Sequence, residues 1–184
     1  MPDYLFRTLE HKDLEMVADF ECEIAINSFG EDAVTDRSLY KKRLLPLVGA
    51  MGAFVAETDS GDIAGWALIT SRANATSNEV YGDFRSYYIA PEHRGGRLAF
   101  SLITEVIEYG LRNEWSRIVG RTAATNKAMQ SIYRFFDFEA KHIVYELSLD
   151  NSHSQQKSKK EPSSEKHRAH QKRKTHRKKG RSGS

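Results

Sequence analysis

Six consecutive residues, Arg94-Gly95-Gly96-Arg97-Leu98-Ala99, set two guanidinium groups and two adjacent glycines directly before an amphipathic stretch. They follow Tyr87-Tyr88-Ile89-Ala90-Pro91, which reads as a strand stopping at a proline. A strand, a glycine turn and a helix start together build an anion site. Glycines let the main chain turn tightly and approach a ligand without Cβ clashes. The first N–H groups of a helix have no partner within it and converge on one spot, where the helix dipole adds partial positive charge. Arg94 and Arg97 add full charges, so a pyrophosphate suits the site. Taken alone, the same residues also fit an ordinary strand–turn–helix connection, because short glycine motifs are weak signals.

A second block, Asn126-Lys127-Ala128-Met129-Gln130-Ser131-Ile132-Tyr133-Arg134-Phe135-Phe136-Asp137-Phe138, places a phenol on a short helix. Asn126 is a good N-cap, and Met129 and Tyr133 share a face at i, i+4. By itself Tyr133 reads as a core tyrosine on an apolar helix face.

Together the blocks resemble the GNAT superfamily of acetyl-CoA-dependent N-acetyltransferases. The family's motif A runs Arg/Gln-x-x-Gly-x-Gly/Ala; Arg94 and Ala99 match, and Arg97 stands at the central Gly with Gly96 beside it to supply flexibility. The family's later pattern, Asn-x-x-Ala/Met-x-x-x-Tyr-x-x-x-Gly-Phe, is met by Asn126, Met129, Tyr133 and Phe138, with Asp137 at the Gly position. Asp tolerates a left-handed backbone better than most residues, so a helix C-cap remains feasible there. The resemblance implies that main-chain amides of Arg94, Gly95, Gly96, Arg97, Leu98 and Ala99 cradle the pyrophosphate of coenzyme A, with a direct phosphate contact from Arg97. It also implies that the preceding strand splays from its neighbour, so that Tyr88, Ile89 and Ala90 offer main-chain groups to the pantetheine arm. Asn126 would bridge to the cofactor or to the helix start, and Tyr133 would be the general acid that protonates the departing thiolate. Acetyl-CoA is the expected cosubstrate and no metal is expected.

Acetyl transfer also needs a neutral amine, and many relatives use a carboxylate as base. Arg85 stands where some relatives carry a Glu. Asp83, two residues away on the same strand face, Glu79 and Glu57 are the candidates, and each also reads as a solvated surface acid. His93 lies beside the glycine loop and reads as solvent-exposed. His153, His167, His170 and His176 are irregularly spaced without acidic partners, which argues against a metal site. No serine nucleophile elbow is present.

The elements that must position these residues alternate. Tyr4–Leu9 reads as a strand. His11–Phe29 carries Met16, Val17, Phe20 and Ile24 at helical spacing, and Asp36–Val48 forms a second helical stretch interrupted by Pro46. Ala53–Glu57 and Ile63–Ile69 flank Thr58-Asp59-Ser60-Gly61-Asp62 and form a hairpin. Arg72–Val80 is a polar loop and Asp83–Ala90 a strand. Gly96–Asn113 is an amphipathic helix with Leu98, Leu102, Ile103, Val106, Ile107 and Leu111 on one face. Arg117–Thr122 is a short strand, Asn126–Phe136 a helix, and the alternation of Ile143, Tyr145, Leu147 and Leu149 marks a final strand. Trp66 and Trp115 read as packing residues. The order β-α-α-β-β-β-α-β-α-β specifies a mixed sheet with helices on its faces. The resemblance sharpens this to an α/β (α+β) fold with a mostly antiparallel sheet of about six to seven strands and about four helices.

Charge divides the chain in two. Residues 151–184 hold 12 Lys/Arg against 2 Asp/Glu, a formal charge of +10, whereas residues 1–150 hold 16 against 23, or −7. The basic segment has no Ile, Leu, Val or aromatic residue, so it cannot bury enough apolar surface to offset its ordering entropy. The expected organisation is a GNAT-like domain over residues 1–150 and a disordered basic tail over 151–184. Such a tail suits sequence-independent, salt-sensitive contact with nucleic acid, and self-association of tail and acidic domain, as in a homodimer, is a competing use. No apolar run approaches the roughly 20 residues that cross a bilayer, the N-terminus does not read as a secretory signal, and Cys22 is the only cysteine. A cytoplasmic location fits. The expected function is N-acetylation of an amine of a small molecule or protein. A nucleic-acid-associated acyltransferase docked by the tail and a non-catalytic GNAT-fold binding protein are the alternatives.

Overall fold

The computed structural model describes residues 4–145 and 147. The chain divides into two units, Met1–Glu139 and Ala140–Ser184; the expected tail, residues 151–184, lies outside the described residues. The first unit carries strands β1 (Tyr4–Thr8), β2 (Ala53–Thr58), β3 (Ile63–Ala73), β4 (Val80–Ile89) and β5 (Ile118–Gly120). Its helices are α1 (Leu14–Phe29), α2 (Arg37–Leu44), α3 (Leu98–Arg112) and α4 (Lys127–Phe135). The strands form one sheet in the order β1-β2-β3-β4-β5. The first three pairings are antiparallel and β4–β5 is parallel. The fold is the GNAT-like mixed α/β architecture, but its sheet has five strands among the described residues instead of the six to seven expected, the last expected strand not being formed in its described part.

Period-two alternation sends each strand's side chains to opposite faces, and each face acquires its own core. Val17, Ala18, Phe20, Tyr40 and Leu44 of α1 and α2 pack on Val55, Trp66, Leu68 and Tyr88. On the other face Leu98, Leu102, Ile103 and Val106 of α3 and Met129 of α4 pack on Phe54, Ala67, Ile69, Phe84 and Ile89. Trp66 is fully buried, and its indole N–H donates to Glu21 at 2.6 Å. Trp115 fills the space against Gly82, where an added Cβ would meet its ring at 2.6 Å.

Three expectations need correction. Leu111 is exposed rather than core-facing; thirteen residues after Leu98, at 3.6 residues per turn, it points to the opposite side of α3. Met16 is likewise exposed, with Val17 and Ala18 taking the buried face of α1. The final strand is not formed in its described part: residues 140–145 and 147 belong to no regular element, and Ile143, Val144, Tyr145 and Leu147 are exposed. Leu149 lies outside the described residues. Polar residues also extend strands beyond their expected limits. β3 continues through Arg72 to Ala73, and β4 begins at Val80, because the two pair out to Ala73↔Val80.

A buried ion cluster fixes β1 to the start of α1. Arg7 donates to both carboxylate oxygens of Asp13, at 2.6 and 2.9 Å, and through Nε to Glu57 at 2.6 Å. The Glu10 amide donates to Asp13 at 2.8 Å. Burial alone raises the Asp13 pKa, but the hydrogen bonds from Arg7 and Glu10 outweigh it and the net shift is downward. The stability this confers is fully present above the ordinary value of 3.8 and is lost as pH falls through the lower folded value. Asp13→Ala removes the bidentate partner of Arg7 and leaves its guanidinium to Glu57, and is expected to destabilise the fold by about 1.5–3 kcal/mol, the range for hydrogen bonds to charged groups. Chemical denaturation at neutral pH measures this loss, and a loss below about 1 kcal/mol on the same scale would contradict it.

Candidate active site

Parallel pairing between β4 and β5 covers only Gly82↔Ile118, Asp83↔Val119 and Phe84↔Gly120. β4 continues to Ile89 without a neighbour on that side among the described residues. The two strands therefore diverge from an apex at Phe84 and Gly120, opening a cleft of about 620 Å³. Its walls come from β4, the start of α3, the end of α1, the segment after β5, and α4.

β4 supplies one wall through main chain as well as side chains. The Ala90 N–H donates to Ala64 at 2.9 Å. By the alternation of an antiparallel ladder, Tyr88 also turns its main chain toward β3, whereas Tyr87 and Ile89 turn theirs into the cleft. Of the expected trio Tyr88, Ile89 and Ala90, Ile89 alone presents main-chain groups there. Tyr88 lines the cleft with its ring, and Ala90 does not line it. The Ile89 carbonyl accepts from Arg94 Nε at 2.9 Å, and the Arg94 guanidinium lies 5.3 Å from the centroid of the Tyr88 ring.

Beyond β4, Pro91–His93 makes one 3-10 turn before the glycine loop. Gly95, not Gly96, takes the left-handed conformation, with φ 75°, and open space surrounds its missing Cβ. Arg97 is the N-cap of α3 with φ −72° and ψ −20°, a conformation open to any residue. This explains how arginine is accommodated where motif A has glycine. Its carbonyl accepts from Phe100 and Ser101, both at 3.0 Å. The N–H groups from Gly95 to Ala99 have no backbone acceptor among the described residues. Arg94, Gly95 and Ala99 line the cleft; Gly96 and Arg97 are exposed outside its lining, and the Leu98 side chain is fully buried in the core. Tyr87 fastens the helix start by donating to the Ala99 carbonyl at 2.8 Å; burial pushes its phenol far above the ordinary value.

The opposite wall is α4. Asn126 caps it, its Oδ1 accepting from the Met129 amide at 3.0 Å. At the other end Asp137 is left-handed, with φ 57°. Its amide donates to Arg134 at 3.2 Å, and that of Phe138 to Tyr133 at 2.9 Å. This is a Schellman closure built on Asp instead of Gly. It brings the Phe138 ring to 4.9 Å from that of Tyr133, while Phe84 holds the other side edge-on at 6.5 Å. The Tyr133 hydroxyl rests over Gly120, where an added Cβ would lie 2.2 Å from the oxygen. It has no hydrogen-bond partner among the described residues. Burial pushes its pKa well up, and Arg121 pulls weakly in the other direction. The phenol is therefore a neutral donor aimed at the apex.

The three candidate bases, and His93 with them, lie elsewhere. Asp83 is paired with Arg121 at 2.7 Å and Arg72 at 3.4 Å. Glu79 is bound to Ser116 and to Arg117, the latter at 3.0 Å. Glu57 belongs to the Arg7 cluster, and His93 Nδ1 meets the Tyr4 hydroxyl at 3.0 Å. None of the four lines the cleft, and among the described residues no carboxylate or histidine does. Sequence patterns missed Tyr87, Arg121, Asn27 and Ser28, which also line it. The period of β4 could have found Tyr87, whereas the others reach the cleft only through tertiary packing.

The sequence model of the acetyltransferase (GNAT) family matches residues 15–138. No curated protein matches the chain. Among solved structures, a predicted acetyltransferase with acetyl-CoA from Clostridium acetobutylicum aligns with TM-score 0.64 at 16% identity, covering 80% of this chain and 97% of that one. An aminoglycoside N-acetyltransferase in complex with CoA gives 0.62 at 16%, covering 81% and 97%. A ribosomal-protein-alanine N-acetyltransferase from Brucella melitensis biovar Abortus gives 0.60 at 15%, covering 79% and 99%.

Proposed function

Because the chain belongs to the GNAT family of acetyltransferases, we propose that it transfers the acetyl group of acetyl-CoA to an amine, using the cleft between β4 and β5. The observation that carries this reading is the diverging strand pair, with unpartnered loop amides at its open end and a partnerless phenol at its apex. The amides from Gly95 to Ala99 suit a pyrophosphate, since they lie at a helix start without backbone partners among the described residues. The outward main chain of Tyr87 and Ile89 suits the amide groups of a pantetheine arm, which would pair as an added strand does. Arg94 occupies the Ile89 carbonyl, so binding there exchanges that hydrogen bond for one to the substrate and frees the guanidinium for phosphate. Asn126 is assigned the structural role of capping α4, the helix that carries Tyr133.

In the reaction the lone pair of a neutral amine attacks the thioester carbon. The C–S bond breaks, and the thiolate leaves with the proton of Tyr133. The amine's surplus proton passes through solvent and restores the phenol, so that acetyl-CoA and amine give amide and free coenzyme A. Titration calorimetry with acetyl-CoA, followed by detection of free thiol on adding a panel of amines, tests the reading. Binding and amine-dependent thiol release are expected. An absence of acetyl-CoA binding would overturn it, and binding without thiol release from any amine would point to a non-catalytic GNAT-fold protein instead.

A further inference from the structure

β4 carries a bulge at the apex of the cleft. Its register with β3 runs Leu68↔Ser86 and then Ile69↔Phe84, so Arg85 is the extra residue between two paired ones. A bulged residue is unopposed and its side chain is re-aimed relative to the strand's alternation. Arg85 is exposed, lines the cleft, and has no ion pair or hydrogen bond among the described residues. The other two arginines of the lining differ in this respect. Arg94 is tied to Ile89, and Arg121 is tied to Asp83 at 2.7 Å.

Position along the strand decides what Arg85 can meet. Four residues of strand, roughly 13 Å, separate it from Ile89, and the glycine loop lies further on. Phe84, its neighbour, is the register partner of Gly120, over which the Tyr133 hydroxyl sits. Arg85 thus stands at the reacting end of the cleft, far from the amides suited to coenzyme A phosphates. A cation in a cleft whose described lining holds no carboxylate repels a plain ammonium and attracts an anion. The neutral polar residues Asn27 and Ser28 face the same space from α1.

Building on the acetyl-transfer reading, we propose that the acceptor is an amine bearing its own negative charge, a carboxylate or a phosphate, and that Arg85 binds that charge. Arginine matches either anion in a bidentate fork. The acceptor's charge then orients its amine toward the thioester, and the amine must arrive neutral from solvent.

The test compares matched acceptors on the full chain with acetyl-CoA: β-alanine against β-alaninamide for carboxylate, and phosphoethanolamine against ethanolamine for phosphate. The wild type should favour at least one anionic member by tenfold or more in kcat/KM, and which pair responds identifies the anion. Arg85→Gln should bring that ratio close to one through KM, and Arg85→Glu should invert it, while acetyl-CoA affinity by calorimetry stays within twofold. A wild type that prefers the neutral members, gives no anionic preference or fails to use the anionic members overturns the proposal, as does a ratio that survives Arg85→Gln. Acetyl-CoA binding on the same samples separates the two levels. Its loss in the wild type defeats the acetyl-transfer reading, whereas binding without charge preference defeats only this inference.

Discussion

Tyr133→Phe is expected to lower kcat for acetyl transfer by about 10²–10⁴-fold, with acetyl-CoA affinity unchanged. The substitution removes one oxygen, and that oxygen holds no protein partner among the described residues. The ring contacts with Phe84 and Phe138 survive, so the melting temperature should stay close to that of the wild type. The pH profile supplies an independent check. Burial raises the phenol's pKa above its ordinary value of 10.0, so the donor form persists as pH rises past that value. Activity should therefore show no alkaline loss attributable to a tyrosine of ordinary pKa. Full activity in the Phe variant would remove Tyr133 from the role of acid, whereas an alkaline limb near 10 that vanishes with the substitution would keep that role and contradict only the raised pKa.

Gly120→Ala is expected to cost about 10²-fold in kcat, the order of loss that follows a 1 Å misplacement in an active site. A Cβ at this position would lie 2.2, 2.6 and 2.9 Å from the Oη, Cζ and Cε1 atoms of Tyr133. The ring must move, and its hydroxyl leaves the apex. Overpacking of this kind also costs about 1–3 kcal/mol of stability, so activity should be compared well below the melting temperature. A double-mutant cycle isolates the mechanism. If Gly120 acts only by seating the phenol, Gly120→Ala should lower kcat little further once Tyr133 is already Phe, whereas independent effects would multiply.

The strand–glycine–helix arrangement was legible in the sequence because each part follows from local rules. A proline ends β4, glycine permits a left-handed turn, and apolar spacing declares α3. The two departures from family pattern, Arg97 and Asp137, became intelligible only from backbone angles. Arg97 sits in an ordinary right-handed conformation, and Asp137 takes the left-handed one that glycine usually supplies. The bulge at Arg85 was not legible, because register is a property of two strands and β4 alone does not encode it. For the same reason the carboxylates that looked available in sequence proved to be paired: Asp83 meets arginines 11 and 38 residues away. Leu111 failed through simple helical phase, and the expected last strand is not formed in its described part because alternation in Ile143, Tyr145 and Leu147 marks a pattern without fixing a pairing.

The side of β4 left unpaired among the described residues, between the apex and Ile89, has a consequence for the protein before it meets any substrate. Exposed strand edges are templates on which stray chains add themselves, and proteins commonly blunt them with charge or cover. Here the Arg94 side chain caps one carbonyl of that edge, a small plug across an otherwise receptive seam. A pantetheine arm lying along the same groups would seal the seam completely. Under the proposed function the cosubstrate would also guard this seam against misassembly, so aggregation on heating is expected to fall when acetyl-CoA is added.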